Sequence, residues 1–498
     1  MAYPTVLERS HVLPLLPATG GPTSLPLTFL DLPWLFFHPS RRIFFYDYPH
    51  PASHFTAAAL PHLKSSLSLA LSLFYPLAGH LHAAPPRRPT ISSSPTTAGV
   101  SLTVAESDDD FHDVSHNDDA RWSAQRAARR FRHLVPALAS CRGQQQEQAT
   151  PVMAIQITLF PASGFSVGIA YQHVAADERT FNNFLKAWAA FCSAISGLRG
   201  QYPADSTPMI NPPVFDRSII REVPALEQRF LHDWWKHSYR PVQSDTLDST
   251  AVRSDTLDST AVRSTFVVGP AQMELVRSWI TRHCEANNGL ALPVHLSPYV
   301  LACALLWVVR LRTHFHLPPT TAGKDESESN RAAAAAAVEG PSYFGFIAGG
   351  ITRIDYPVPA AYFGNCVGFG RAEAAARELL GEAGILHAAR AIGGAIKRLD
   401  RSVLEGAEEW VAEWREMAES DGLHIVVVGS PKVDFYGTNF GWGRPRKVEE
   451  VSIDWTGAVS LHQSRDVAGA MEVGLSLPTA KMDTFRRLFK DCLVQILK

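Results

Sequence analysis

Residues 152–196 constrain the fold of this chain more than any other stretch. Two apolar runs, VMAIQITLF (152–160) and FSVGIAYQ (165–172), have the length and composition of strands and are separated by the turn-forming PASG. The turn His173-Val-Ala-Ala-Asp177 follows. Residues 180–196, TFNNFLKAWAAFCSAIS, then carry apolar side chains at the spacing of an amphipathic helix. A strand–turn–helix passage belongs to an α/β class with substantial sheet. It also sets the turn at the mouth of the sheet, where catalytic side chains commonly sit.

The rest of the chain repeats the mixture. Residues 55–74 read as a helix with Pro61 in its first turn and an end before Pro76. Ser297-Pro298 is a good N-cap and first-turn pair for the helix SPYVLACALLWVVRL. GLHIVVVGS, VSIDW and MEVGLSL read as strands. With 498 residues the chain exceeds one ordinary core, so two large units are expected. Residues 84–99 read as a loop, and 324–340 as a loop or a short helix. The decapeptide SDTLDSTAVR at 244–253 recurs at 254–263. One such repeat is too short for a solenoid. It reads as a local duplication, with the second copy leading into STFVV and the first looped out.

Charge excludes some functions. A formal net charge of −2 gives no footprint for nucleic acid. The most apolar stretch, 299–311, is interrupted by Arg310 and is shorter than the roughly 20 residues a bilayer span needs. The start of the chain carries no basic-then-apolar signal. Six scattered cysteines without a CxxC pair fit a reducing compartment. A cytosolic protein is expected, without membrane or nucleic-acid partners.

Several motifs compete for the chemistry. His173…Asp177 has a second match in His462…Asp466, and only the first has strand–turn–helix context. GFSVG (164–168) fits the G-x-S-x-G pattern, but a nucleophile elbow needs a sharp turn at the serine. Ser166 lies inside a continuous run, so no serine nucleophile is expected. His112 and His116 stand at helical metal spacing within DDDFHDVSHNDD. That run is a poor helix former and reads as a solvated acidic loop, so no metal is expected. Asn439-Phe440-Gly441-Trp442-Gly443 reads as a tight turn holding a large ring, shaping a site rather than moving protons.

HVAAD and NFGWG lie about 260 residues apart. Together they resemble the HxxxD and DFGWG signatures of the plant BAHD acyltransferases. LPLTFLDLPWLFFHPSRRIFFYDYP, LKSSLSLALSLFYPLAGHL, Tyr362-Phe363-Gly364-Asn365-Cys366 and MEVGLSLP are similar to further segments of that family. YFGNC is similar to the branch that acylates flavonoid and other phenolic glycosides, often with malonyl-CoA.

The resemblance implies a two-lobed α/β fold like chloramphenicol acetyltransferase, each lobe a mixed β-sheet flanked by helices. Residues 1–200 would form the N-terminal lobe, 201–265 a crossover and 266–498 the C-terminal lobe, with the segment after Asn439 packing back onto the first. It implies a monomeric acyl-CoA-dependent O-acyltransferase without a bound cofactor. The co-substrate would be malonyl-CoA and the acceptor a sugar hydroxyl of a flavonoid, anthocyanin or other phenolic glucoside. His173 would be the general base, without a covalent acyl-enzyme, and Asp177 would fix the loop through an ion pair. A basic residue often stands at the position of Arg179 in that branch, and a guanidinium there could grip the malonyl carboxylate. Two departures stand out. Asn439 replaces an aspartate, and Ile351 replaces the first arginine of an Arg-x-Arg pair, leaving Arg353 as the candidate partner of Asp177. Two other readings stay open: a hydroxycinnamoyl-CoA or other acyl-CoA transferase, and an inactive member that serves as a binding or regulatory protein.

Overall fold

The computed structural model describes residues 3–15, 24–84, 87–93, 98–115, 126–140, 149–197, 211–238, 260–286, 291–316, 338–420 and 422–497. The first copy of the decapeptide, Cys141, His116 and most of 324–340 lie outside these residues. The second copy ends in Ala261-Val262-Arg263, which opens the strand Ala261–Val268.

Among the described residues the chain builds two large mixed sheets and one small one. The first large sheet runs Thr5–Val12, Val100–Glu106, Met153–Phe160, Gly164–Tyr171, Ser40–Asp47 and Lys447–Glu450 in spatial order. The strands Met153–Phe160 and Gly164–Tyr171 pair antiparallel from Gly164 opposite Phe160 to Tyr171 opposite Met153, so PASG closes a hairpin. Both strands are buried along their whole length, which is why neither shows a strict polar–apolar alternation. The second large sheet runs Val367–Ala375, Pro341–Gly349, His424–Val428, Val459–Gln463, Met471–Pro478, Ala261–Val268 and Arg126–Ala127.

Each large sheet borrows an edge strand from the other half of the sequence. Lys447–Glu450 pairs antiparallel with Ser40–Asp47, and Arg126–Ala127 pairs with Ala261–Val268. Among the described residues two large apolar cores result, beside two smaller clusters. One gathers Leu63, Phe165 and Trp188 with Phe369, Trp414 and Phe440 from the C-terminal half. The other is centred on the helix Pro298–Phe315, where every residue from Val300 to Val309 is buried. Ser297 caps that helix through its Oγ, which accepts from the Val300 N–H at 3.4 Å.

Three local expectations need correction. The helix near Pro61 starts earlier, at Ala52, and widens into a π turn over Phe55–Ala59 before Leu60–Leu73. Proline has no N–H and its ring crowds the carbonyl one turn back, so the wider turn lets the chain pass it. VSIDW is no strand: the strand ends at Glu450 and a short helix, Ile453–Thr456, follows. Within the acidic run, Phe111–Ser115 forms a helical turn started by Asp110, whose Oδ1 accepts from the His112 N–H at 2.8 Å. Asp113 pairs there with Arg130. No group of three metal-ligating side chains occurs among the described residues. No helix among them is long and apolar enough to cross a membrane.

Candidate active site

The strand Gly164–Tyr171 ends at Gln172, and a single 3-10 turn, His173–Ala175, swings the chain into the helix Glu178–Ile195. Asp177 is the N-cap of that helix, and its Oδ1 accepts from the Thr180 N–H at 2.8 Å. Its Oδ2 accepts from the backbone N–H of Cys366 at 3.1 Å and faces Arg179 Nη2 at 3.3 Å. Asp177 therefore turns away from proton chemistry and ties the turn to the YFGNC segment. His173 is left as the titratable side chain at the mouth of the sheet. Its ring stacks on Trp34 with centroids 4.6 Å apart. Burial disfavours its charged form and lowers its pKa below the ordinary imidazole value, against a smaller upward pull from Asp177.

Other aromatic rings stand beside it. Phe37 lies 5.6 Å from Trp34, and Trp414 packs edge-on against Phe37 at 4.9 Å. Trp414 comes from the helix Trp410–Glu419, so both halves of the sequence contribute. A surface depression of about 550 Å³, lined by Leu7, Glu8, Leu60 and Lys64, is a separate feature that includes no residue of the catalytic turn.

The structure redistributes the expected arginines. Arg353 does not reach Asp177. The turn after Pro341–Gly349 directs it to Asp400 at 2.9 Å and to the Gly349 carbonyl at 2.9 Å. The ion-pair partner of Asp177 is Arg179. Arg179 Nη1 also donates to the carbonyls of Ala360 at 2.6 Å and Tyr362 at 2.8 Å. Through these three partners its guanidinium ties the 173–177 turn to the 360–366 segment. Glu178 does not neutralise it, being paired with Arg42 at 2.5 Å.

The second HxxxD match has no such context. His462 sits inside the strand Val459–Gln463, buried against Phe435 at 6.0 Å, with its pKa pushed down to about 3 by burial. Ser166 likewise lies in a strand paired on both sides, with no turn at it.

Asn439 explains its own substitution. Its Oδ1 accepts from the N–H groups of Gly441 at 2.9 Å and Gly443 at 3.0 Å, which an aspartate oxygen would do equally. Gly441 and Gly443 take φ values of 113° and 100° there, a region that favours glycine. Phe440 packs against Trp188 at 4.9 Å, and Trp442 against Tyr48 and Phe165 at 5.8 Å each. The motif seats the segment leading into the borrowed strand Lys447–Glu450. Asn439→Asp is therefore expected to keep turnover within a few-fold of the original, and Asn439→Ala to lower stability by about 1 kcal/mol. Initial rates and thermal unfolding check both, and a large change in the pH profile of Asn439→Asp would contradict the turn-holding role.

Asp177→Ala should cost about 3 kcal/mol, because it strands a partly buried guanidinium and two N–H groups. Arg179→Ala should be less than additive with it in a double-mutant cycle followed by thermal unfolding. Arg353→Ala should add to Asp177→Ala without coupling.

Two residues buttress the turn in ways the sequence did not disclose, Asn365 of the YFGNC segment and Asp31. Asn365 Nδ2 donates to the carbonyls of His173 and Val174 at 3.1 Å each, and to Asp31 Oδ1 at 3.0 Å. Asp31, wholly buried, also accepts from the Asn365 N–H and from Thr28. A lone acid in the apolar run LTFLDLPW was the available signal, since a buried carboxylate requires partners.

Comparison with known proteins places the chain in a family. Residues 4–492 match the family model described as the Transferase family. A malonyl-coenzyme:anthocyanin 5-O-glucoside-6'''-O-malonyltransferase of Salvia splendens is 33% identical over 98% of this chain and 95% of its own. A coumaroyl-CoA:anthocyanidin 3-O-glucoside-6''-O-coumaroyltransferase of Arabidopsis thaliana is 30% identical over 98% of this chain and 97% of its own. The crystal structure of vinorine synthase superposes with a TM-score of 0.64 at 18% identity, covering 96% of each chain. That likeness supports the two-lobed fold.

Proposed function

We propose, from the premise that this chain belongs to the Transferase family of BAHD acyltransferases and is an acyl-transferring enzyme, that it moves malonyl from malonyl-CoA to a sugar hydroxyl of an anthocyanin or other phenolic glucoside. His173 is the general base. The carrying observation is the placement of His173 at the mouth of the sheet, its ring stacked on Trp34, with Asp177 engaged by Arg179 and the Cys366 N–H.

The chemistry follows from that placement. The imidazole takes the proton of the acceptor hydroxyl as its oxygen attacks the thioester carbonyl. The tetrahedral oxyanion collapses, the C–S bond breaks, and the imidazolium returns the proton to the leaving thiolate. No step requires a covalent acyl-enzyme or a metal. Trp34, Phe37 and Trp414 form an aromatic cluster beside the base, chemistry that suits a flat phenolic acceptor.

A second reading, a hydroxycinnamoyl donor on the same scaffold, is favoured by the coumaroyl-transferring relative. Both relatives are named for anthocyanin-type glucosides, so the acceptor class is better supported than the donor. Incubation with an anthocyanin glucoside and equimolar malonyl-CoA and p-coumaroyl-CoA separates the two. The malonyl ester should dominate the product mass spectrum, and a coumaroyl ester in excess transfers the assignment to the second reading. Absence of either ester across a panel of phenolic glucosides would remove the proposed acceptor.

A further inference from the structure

A base of this kind must keep one ring nitrogen free of a proton, and something has to decide which one. Asp177 does not, because both of its oxygens are taken by Thr180, Cys366 and Arg179. Yet His173 Nδ1 is buried without a well-formed hydrogen bond, an unusual state for a buried polar atom, while its own carbonyl and the Asn365 side chain lie close enough to favour the protonated ring. Asn365 Oδ1 is buried and unpaired in the same way. The two residues already touch through the bond from Asn365 Nδ2 to the His173 carbonyl at 3.1 Å.

The amide cannot be turned round. Its nitrogen faces three acceptors: Asp31 Oδ1, the His173 carbonyl and the Val174 carbonyl. An oxygen in that place would meet three oxygens and no proton. Asp31 is itself fixed by two bonds from Thr28 at 2.8 Å each and one from the Asn365 N–H at 2.8 Å. Gly364, at φ 131°, holds a backbone conformation that other residues rarely adopt, and a Cβ there would displace Arg217 Nη1, 2.6 Å away. Arg217 in turn donates to the Phe363 carbonyl at 2.6 Å. The whole YFGNC segment is thus braced to hold one amide in one orientation.

We propose that Asn365, locked by Asp31, is the positioning residue of the catalytic base. Its Oδ1 accepts the Nδ1–H of His173 as the substrates close the site, which leaves Nε2 as the nitrogen that takes the hydroxyl proton. Hydrogen bonds of this kind are often loose before substrate binds. The Nδ1 proton stays in place throughout, and the proton taken by Nε2 leaves on the CoA sulfur. Around the ring stand the indole of Trp34, the carbonyl of His173 itself, and the charges of Asp177 and Glu450. Glu450 is paired with Arg42 at 2.6 Å. The Asn365 side chain favours the protonated ring, so its removal weakens the base.

This inference rests on the reading of His173 as the base, and its test separates the two. Long-range 1H–15N correlation of histidine-labelled full-length protein saturated with free CoA and an anthocyanin glucoside, a pair that cannot react, reports the tautomer in the closed site without turnover, with His173 assigned by its loss in His173→Ala. In the unsubstituted protein the proton is expected on Nδ1. In Asn365→Ala the two tautomers should mix. The same variant should lose kcat on the order of tenfold or more with KM values little changed, and the acid limb of its kcat/KM profile should move to lower pH. A proton on Nε2 in the unsubstituted protein overturns the proposal, and that measurement stands even where Asn365→Ala fails to fold. A folded Asn365→Ala with unchanged kcat and pH profile overturns it too. Full activity in His173→Ala would instead overturn the base itself.

Discussion

His173→Ala should lower kcat by about 10²–10⁴-fold while the protein stays folded. The side chain donates no structural hydrogen bond that its loss would break: Nδ1 is unpaired, and the contact to Asn365 runs through the backbone carbonyl. The stacking partner Trp34 keeps its own anchor, with Nε1 donating to the Leu30 carbonyl at 3.0 Å. Removing the imidazole thus takes away the proton acceptor and leaves its surroundings held. Because burial sets the His173 pKa below the ordinary imidazole value, the acid limb of kcat/KM in the unsubstituted enzyme should lie below pH 6.5. Initial rates across pH, with thermal unfolding as the check on folding, test both statements. Near-normal turnover in the folded variant would reject the mechanism.

Arg263→Ala should be the most damaging single change to stability, on the order of 5 kcal/mol. Arg263, the last residue of the second decapeptide copy, lies near the start of the strand Ala261–Val268 and is 3% exposed. It donates to Asp454 Oδ1 at 2.5 Å, Glu449 Oε2 at 2.8 Å and the Glu450 carbonyl at 2.7 Å. Glu449 also holds Lys447 at 2.7 Å, and Asp454 holds Arg132 at 3.2 Å. Losing the guanidinium leaves buried carboxylates where the borrowed strand Lys447–Glu450 meets the first sheet. Burial pushes the Glu449 pKa up, but the Lys447 and Arg263 charges outweigh it and set it at about 2, below its ordinary value of 4.5. A depressed carboxylate contributes stability that is present above pH 4.5 and is lost as pH falls toward 2. Chemical unfolding should therefore show stability falling across that window, and a shallower fall in Glu449→Gln. An Arg263→Ala protein as stable as the original would contradict the role of this cluster.

What the sequence disclosed was local. Met153 to Ile195 was legible because the hairpin, the turn and the helix are each set by residues within a few positions of one another. The capped helix after Ser297 was legible for the same reason. The partner of Asp177 was not. Arg179 reaches the carbonyls of Ala360 and Tyr362, about 180 residues away, in a segment where Tyr362 is also bridged to Val214. Nothing near Arg353 foretold that its turn would point it to Asp400. The borrowed strand Lys-Val-Glu-Glu was equally hidden. Its charged side chains argue for solvent, and they are buried only because Arg42, Arg263 and one another neutralise them. Asn365 was visible as part of a motif but not as a clamp, since its work depends on Asp31, distant in sequence.

The most direct measurement is thiol release from malonyl-CoA followed together with acylated product, with and without a phenolic glucoside. Transfer at His173 without an acyl-enzyme requires one thiol for each acylated glucoside, and an unchanged protein mass when malonyl-CoA is supplied alone. Thiol released in a burst without acceptor, with the acyl group retained on the protein, would contradict it.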